Sequence, residues 1–338
     1  MTDSPLYRKS LGCLVGGLVG DAMGTPTENM DYDDIEKRFG WVDDFDSDGT
    51  DDTVMKNLLA DALLATGGYA TLDDWAAQWM EQYGEIFGDK VGKFFQSVLH
   101  TAAKLKSHAL PRTAALGNMP SSSSAMCISP VGVVNACNPQ AAAAQAYGLA
   151  GLIHQQDVGF CQDGAAAMAA AVAAAFKPEA DPDSVVAAAT EAIVPWSGLE
   201  MRERVEEAMG LAREAAEYQA FREAVYTQKE RFFCRITCDS RETVPLTLAL
   251  FWLAGGDTEK SVAYGANFGR DADTIASMAG AIAGALGGIG AIRPDWIEKA
   301  LRLSARDQEK LARDLAATAL AKAEREATAA GAVASLGR

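Results

Sequence analysis

Residues 11–28 read LGCLVGGLVGDAMGTPTE, with a glycine at every fourth position from Gly12 to Gly24. A second stretch repeats a small residue at the same spacing, from Ala276 to Gly288. Positions four apart share one face of a helix, so each face lets another backbone approach closely. Glycine costs about 1 kcal/mol per helical position relative to alanine. We therefore expect both segments to be helices that pack tightly in the core and hold the acidic residues at their ends firmly.

The rest of the chain also favours helices, because its alanine-rich segments contain few β-branched residues. The clearest predicted helices are Gln140–Ala150, Asp163–Phe176, Asp183–Ile193, Glu206–Gln219 and Pro245–Ala254. The sequence has no run of alternating strands, no βαβ rhythm and no linker. It predicts one all-α domain over residues 1–338, with a core of about 8–315 and an alanine-rich tail of about 316–338 that frays into solvent.

Charge and cysteine content limit the possible functions. The 338 residues carry a formal net charge of −16, which argues against general binding of nucleic acid or of an anionic membrane. The apolar run Leu11–Val19 is too short to span a bilayer and lacks the context of a signal peptide. Cys234 and Cys238 are the only close pair of cysteines, and no second pair completes a zinc site. We expect a reduced, cytoplasmic protein.

Two acidic clusters each stand where an apolar helix begins, at residues 50–53 (TDDT) and 271–274 (DADT). Asp and Thr are favoured at helix N-termini, where they cap free N–H groups, and this accounts for either cluster alone. Paired carboxylates beside hydroxyls are also the oxygen ligands that Mg²⁺ and Mn²⁺ prefer. If the fold brings the two helix starts together, five or six oxygen donors converge on one or two ions.

Four separated motifs resemble those of the ADP-ribosylglycohydrolase family, in the same order and over roughly residues 8–290. Residues 20–28 (GDAMGTPTE) resemble its GDALGxPxE opening, and residues 50–53 its TDDT motif. Residues 269–276 (GRDADTIA), followed by GAIAGA, resemble its C-terminal GGDTDTIA motif. Between them, Ser124–Met126 with Pro130–Gly132 resembles its SAMRxxPxG segment, and Leu152–His154 resembles its LTH element.

The resemblance implies a single-domain orthogonal bundle of helices, with a centre of two Mg²⁺ or Mn²⁺ ions at the floor of a cleft. Carried over to this sequence, six residues become the predicted metal ligands: Thr50, Asp51 and Asp52 for one ion, and Asp271, Asp273 and Thr274 for the other. Asp273 is placed so that it bridges the two ions. Such ions bind the vicinal hydroxyls of a ribose and orient its anomeric carbon towards water.

The resemblance also indicates catalytic and substrate-binding residues. Either Glu28 or Asp52 is the carboxylate that accepts a proton from the attacking water or a ribose hydroxyl. His154, Arg270, Ser124 and Met126 are the predicted substrate-binding residues, with His154 facing the cleft. Three alternatives stay open: Glu28 as a solvated loop carboxylate, His154 as an ordinary structural histidine, and Arg270 as the partner of a neighbouring carboxylate rather than of a substrate phosphate or carboxylate.

The predicted reaction is hydrolysis of the C1 N- or O-glycosidic bond of an ADP-ribosyl group, on a modified protein or a related conjugate. Cys127 stands where the family motif has arginine, and Arg270 and Ala272 replace a glycine and a threonine. These changes keep the predicted ligands but alter the surroundings of the substrate. A small riboside or nucleoside-like metabolite is therefore the alternative substrate. A non-catalytic ligand-binding or structural member of the family is the third hypothesis, although the sequence keeps every predicted metal ligand.

Overall fold

The computed structural model describes residues 4–337, and its regular structure is helical, which confirms the all-α prediction. The first ten α-helices are α1 Pro5–Gly24, α2 Tyr32–Phe39, α3 Asp51–Ala65, α4 Leu72–Glu81, α5 Tyr83–Phe87, α6 Gln96–Lys106, α7 Pro111–Ala114, α8 Ser129–Val134, α9 Pro139–Ala150 and α10 Phe160–Ala175. The other nine are α11 Pro182–Glu191, α12 Leu199–Ala215, α13 Tyr218–Thr227, α14 Lys229–Phe232, α15 Ser240–Leu253, α16 Thr258–Ala266, α17 Ala272–Gly287, α18 Pro294–Leu303 and α19 Gln308–Leu336. Over the same residues there is no β-strand, and one isolated antiparallel bridge pairs Asp31 with Gly269.

Helices α9, α10 and α11 lie within a few residues of their predicted bounds. For two other helices, the predicted first residue lies too far along the sequence. Helix α15 begins at Ser240 rather than Pro245, because Asp239 caps its N-terminus and Pro245 lies inside the helix. Helix α12 begins at Leu199 rather than Glu206, and it ends before Gln219 because Ala216 adopts the left-handed conformation with φ of 59°.

The C-terminal tail departs from its predicted behaviour. Helix α19 continues without a break to Leu336, and it buries Ala316, Ala319 and Lys322 against the body of the protein. The expectation that the tail frays from about Ala316 is therefore wrong for this part, while residues 323–337 are exposed. None of the helices between residues 4 and 337 combines the length and apolar character needed to cross a membrane.

Helices α1 and α17 form the most extensive helix–helix contact of the described chain, and they are antiparallel. A Cβ atom added to Gly12 would lie 2.3 Å from the carbonyl oxygen of Gly284, and one added to Gly20 would lie 2.1 Å from that of Ala276. No side chain fits at such distances. The small-residue faces of both helices are therefore packed backbone to backbone, which confirms the tight core packing predicted from their four-residue spacing.

The antiparallel packing brings the last turn of α1 to the first turn of α17. A Cβ atom added to Gly24 would lie 2.4 Å from the Cα of Asp273. One of the predicted acidic clusters is therefore fixed beside the segment that carries Glu28, at the end of a rigid pair of helices.

Candidate metal centre

Helix α3 is held at the same place by Asp21, a fully buried residue in the last turns of α1. The Asp21 carboxylate accepts hydrogen bonds from the backbone N–H groups of Thr50 and Thr53, at 2.9 and 3.0 Å. It also accepts from both threonine hydroxyls, at 2.8 and 2.6 Å. Gly49 is required here, because it has φ of 84° and its Cβ would lie 2.3 Å from Asp21 Oδ2. Asp21 thus caps α3 from another helix, and the ends of α1, α3 and α17 meet.

Five carboxylates come together at this meeting point, which we call the carboxylate cluster: Asp21, Glu28, Asp52, Asp271 and Asp273. One oxygen each of Asp21, Asp52 and Asp273 lie within 4.8 Å of one another. The same limit holds for one oxygen each of Glu28, Asp271 and Asp273. Asp273 belongs to both groups and therefore joins them into one cluster.

The oxygen atoms of this cluster fit a hard divalent cation. Asp52 Oδ2 accepts a hydrogen bond from the hydroxyl of Thr274 at 3.3 Å, and Asp273 Oδ2 accepts one from that of Thr50 at 3.5 Å. The other oxygen of each carboxylate, Oδ1, is buried and has no hydrogen-bond partner among the described residues. A buried acceptor without a partner is costly, and a cation with oxygen ligands would satisfy both.

Burial and mutual repulsion raise the pKa values of the aspartates at this site. The pKa values of Asp51, Asp52 and Asp273 are raised well above the usual range, by burial first and then by neighbouring carboxylates. Burial, with the charge of Glu28, raises the pKa of Asp271 to about 7. Burial also raises the pKa of Asp21, although the hydrogen bonds from Thr53 and Thr50 oppose it. Bound divalent cations would favour the ionised forms and compensate this repulsion.

Two lysines lie beside the cluster. Lys56 of α3 is buried, donates to the carbonyl of Leu14 at 3.2 Å, and has a pKa lowered by burial despite the charge of Asp21. Lys93 lies at the surface and its Nζ is 2.9 Å from Glu28 Oε2. The Glu28 side chain is itself partly exposed, at 26%. Glu28 is therefore the member of the cluster that faces solvent.

The position of His154 differs from the prediction, because its ring is fully buried and does not line a cleft. Its Nε2 lies 2.9 Å from the Ser121 hydroxyl and its Nδ1 lies 2.9 Å from the Ser124 hydroxyl. Burial lowers the pKa of His154 to about 3, so the ring is neutral. We call these three residues the serine–histidine cluster. The structural alternative for His154 is the one that this geometry supports.

The other two predicted substrate-binding residues of this region are also buried. Ser124 has no exposed surface, and its hydroxyl also lies 3.3 Å from the carbonyl oxygen of Cys161. Met126 is 5% exposed and belongs to the apolar core. The residue of this loop that reaches the carboxylate cluster is Ser122, whose hydroxyl donates to Asp271 Oδ2 at 3.1 Å.

Of the two roles left open for Arg270, the structure contains the ion pair. Its Nε and Nη2 donate to the two carboxylate oxygens of Glu242, at 2.7 and 2.9 Å. The guanidinium also lies over the ring of Phe233, with Cζ 4.3 Å from the ring centroid. Its side-chain hydrogen bonds are therefore to Glu242 and Cys234 rather than to the carboxylate cluster, although its backbone adjoins Asp271.

Sequence reasoning missed four residues of the site: Asp21, Lys56, Lys93 and Ser122. A signal existed for Asp21, because an acid that follows the glycine face of α1 lies at the helix end where such packing fixes it. Lys93 and Ser122 carried no signal, since their partners, Glu28 and Asp271, are distant in the sequence.

The fold and the site together define a class of protein. It is an all-α protein in which three helix ends surround buried carboxylates with unpartnered oxygens, the donor set of a divalent-cation centre.

Comparison with known proteins narrows this class to a family. The sequence model of the family described as ADP-ribosylglycohydrolase matches residues 2–327. The chain belongs to the ADP-ribosylglycohydrolase family, and this supports, at a coarse level, a hydrolase of glycosidic bonds.

Similar proteins agree with this membership. The uncharacterized protein YegU of Escherichia coli (strain K12) is 30% identical over 320 residues, covering 85% of this chain and 90% of the relative. An uncharacterized protein of Archaeoglobus fulgidus is 28% identical over 309 residues, covering 87% and 92%. A solved structure described as an ADP-ribosylglycohydrolase-related protein complex superposes with a TM-score of 0.68 at 21% identity, covering 93% of this chain and 99% of that one. At that identity the superposition shows the fold.

Proposed function

We propose that the protein is a metal-dependent glycohydrolase that cleaves the C1 N- or O-glycosidic bond of an ADP-ribosyl group, carried by a modified protein or a related conjugate. The observation that carries the proposal is the pair of buried, unpartnered oxygens, Asp52 Oδ1 and Asp273 Oδ1, in a chain of the ADP-ribosylglycohydrolase family. Most buried polar atoms in proteins have a hydrogen-bond partner, and here two acceptors without one belong to the same group of close carboxylates. Oxygens left free within a cluster of five carboxylates are suited to holding Mg²⁺ or Mn²⁺.

Two sets of residues would hold the ions. Thr50, Asp51 and Asp52 begin α3, whereas Asp271, Asp273 and Thr274 begin α17. Asp273 would serve both ions, since its oxygens lie close to those of Asp52 and of Asp271. A bound divalent cation supplies Lewis acidity and lowers the pKa of a bound water.

Glu28 and Asp52 are the proposed catalytic carboxylates. Glu28 is the partly exposed member of the cluster and can meet a substrate from the solvent side. Asp52 is buried and offers a free oxygen. Cleavage at C1 develops positive charge on the sugar ring, and an adjacent carboxylate stabilises that charge and accepts a proton from water. In the present structure Lys93 holds Glu28, and this contact would be exchanged when a substrate enters.

A small riboside is the second candidate substrate, and specific observations favour it. Arg270 is paired with Glu242, and Cys127, in place of the family arginine, is uncharged and buried. Neither position offers a free cation to the diphosphate of ADP-ribose. Stacking on adenine would need a free aromatic face. Phe94 is 4% exposed, and Tyr83 and Phe87 stack on each other with ring centroids 4.5 Å apart.

The test is thermal unfolding of the purified protein with Mg²⁺ or Mn²⁺, in the presence of ADP-ribose, ribose or small ribosides. We expect a metal-dependent rise in Tm that increases further with ADP-ribose, and release of ADP-ribose from an ADP-ribosylated protein. A further rise with ribosides and none with ADP-ribose would select the second substrate.

A matched control separates the cluster from buried aspartates in general. Asp163 is also fully buried, its Oδ1 accepts a hydrogen bond from the backbone N–H of Val194 at 2.8 Å, and its Oδ2 likewise has no partner among the described residues. It differs from Asp271 in belonging to neither group of close carboxylates. We expect Asp163→Asn to keep the metal-dependent rise in Tm and Asp271→Asn to lose it. The absence of any metal-dependent rise in the wild-type protein would contradict the proposed function.

A further inference from the structure

We propose that Arg270 is a positioning residue, which fixes Glu28 and Asp271 in the carboxylate cluster by anchoring the backbone between them to Glu242. The inference deepens the proposed function and rests on it, since it concerns the same centre. It assigns Arg270 a role other than contact with the substrate.

The backbone of Arg270 is bonded in both directions to the segment that follows Glu28. The N–H of Asn29 donates to the Arg270 carbonyl at 2.6 Å, and the N–H of Arg270 donates to the Met30 carbonyl at 2.8 Å. Asp271 is the next residue in the chain. A shift of Arg270 would therefore move the Glu28 loop and the first ligand of α17 together.

The side chain of Arg270 fixes this backbone to a third part of the protein. Its planar fork binds both oxygens of Glu242, and Nη2 also donates to the carbonyl of Cys234 at 3.0 Å. The Glu242 side chain has no exposed surface, and it accepts a further bond from the N–H of Cys234 at 2.6 Å. A charge-assisted pair with two parallel bonds fixes orientation as well as distance.

The conformation of Arg270 shows that its surroundings determine it. Its φ is 61°, in the left-handed region that residues with a Cβ rarely adopt. A residue keeps such a conformation when contacts on several sides impose it, and these residues concentrate at functional sites. Here the imposed turn is the one that directs Asp271 towards Glu28 and Asp273.

Arg241 provides a matched control in the same region. Its Nε and Nη2 donate to both oxygens of Asp239, at 3.1 and 2.8 Å, and its Cζ lies 4.2 Å from the ring centroid of Phe160. It therefore has the same kind of carboxylate fork and the same kind of aromatic contact. None of its side-chain hydrogen bonds within residues 4–337 is to a residue of the carboxylate cluster.

The experiment measures Mn²⁺ binding by titration calorimetry to the full-length wild type, Arg270→Lys and Arg241→Lys. Lysine keeps the charge but loses the fork. We expect Arg270→Lys to raise the Kd for Mn²⁺ about tenfold or more, the usual effect of losing a group that orients a metal ligand. Arg241→Lys should leave the Kd unchanged, although it removes a comparable ion pair.

A double variant separates positioning from a general loss of stability. Arg270→Gly with Glu242→Met removes both charges and suits the left-handed backbone, so no buried carboxylate is left unpaired. The N–H and carbonyl of Cys234 lose their side-chain partners, but this residue is partly exposed and water can replace them. We expect its Tm to be close to that of the wild type while its Kd for Mn²⁺ stays raised. Wild-type Kd values in Arg270→Lys or in the double variant would overturn the positioning role of Arg270 and leave the proposed function standing. Failure of the wild type to bind Mn²⁺ would instead contradict the proposed function.

Discussion

The carboxylate cluster and the serine–histidine cluster are neighbouring buried polar regions, joined through the loop in which Ser122 bonds to Asp271. In the serine–histidine cluster both ring nitrogens of His154 have hydroxyl partners at 2.9 Å. In the carboxylate cluster Asp52 and Asp273 each keep one buried oxygen without a partner. Complete hydrogen bonding is typical of a structural role, whereas two free acceptors within one group of close carboxylates indicate a cation. Residue type alone would have suggested a function for both regions.

The largest effect that this comparison predicts is the loss of function in Asp273→Asn. The amide removes the charge of the shared carboxylate but keeps its size. Losing a group that only orients a metal ligand costs about 10–100-fold, so losing the ligand itself should lower metal-dependent activity by more than about a hundredfold. The metal-free Tm should not fall, because a repelled buried charge is gone. The measurements are metal-dependent hydrolysis and Tm without metal, and full activity in the variant would show that the free oxygen has no ligand.

The next effect concerns the contact that places the cluster. In Gly20→Ala the new methyl would lie 2.1 Å from the Ala276 carbonyl oxygen, so α1 and α17 must separate. Overpacking costs about 1–3 kcal/mol, and we expect weaker Mn²⁺ binding as well. In the control Gly17→Ala the methyl meets Ala281 at an ordinary 3.4 Å, and alanine is the better helix former. Urea unfolding and Mn²⁺ titration of both variants check this, and equal behaviour would refute it.

A smaller effect distinguishes the serine–histidine cluster by its response to pH. The unfolded chain protonates His154 near pH 6.5, whereas the pKa in the folded protein is about 3. Between these values the unfolded state binds the extra proton, so the free energy of unfolding decreases as the pH falls below 6.5, by up to about 1.4 kcal/mol per pH unit. His154→Gln should lose this component. Urea unfolding from pH 7 to 5 measures it, and identical slopes in wild type and variant would contradict the buried neutral ring.

The smallest effect is expected at the exposed edge of the carboxylate cluster. Lys93→Gln removes the ion pair with Glu28. The Lys93 side chain is 41% exposed and the Glu28 side chain 26%. Exposed ion pairs contribute less than about 1 kcal/mol and weaken with salt. The free energy of unfolding, measured by urea at low and high salt, should therefore change by no more than this. A larger loss would place Lys93 among the groups that hold the site together.

Local patterns in the sequence predicted the all-α fold and most helices, although α12 and α15 begin earlier in the chain than predicted. The four-residue spacing of small residues predicted tight packing of α1 and α17, since periodicity is a local property. The acidic helix starts predicted that carboxylates of two distant segments meet, and Asp52 of α3 and Asp273 of α17 do lie close together. The hydrogen-bond partners of side chains could not be predicted from the sequence. Ser122 and Ser124 stand in one run of four serines, yet Ser122 bonds to Asp271 and Ser124 to His154. The pairing of Arg270 with Glu242 likewise depends on how two distant segments pack.

The α1–α17 contact also affects the order of folding. Gly12 and Gly284 lie far apart in the sequence, so their contact closes a long loop of the chain. Contacts of such sequence separation are formed slowly, and chains synthesised from the N-terminus fold what has emerged first. During synthesis, the glycine face of α1 therefore has no α17 to pack against until α17 has left the ribosome. A nascent or truncated chain that ends before Asp271 carries three of the five carboxylates of the cluster and lacks Asp273, the member common to both groups.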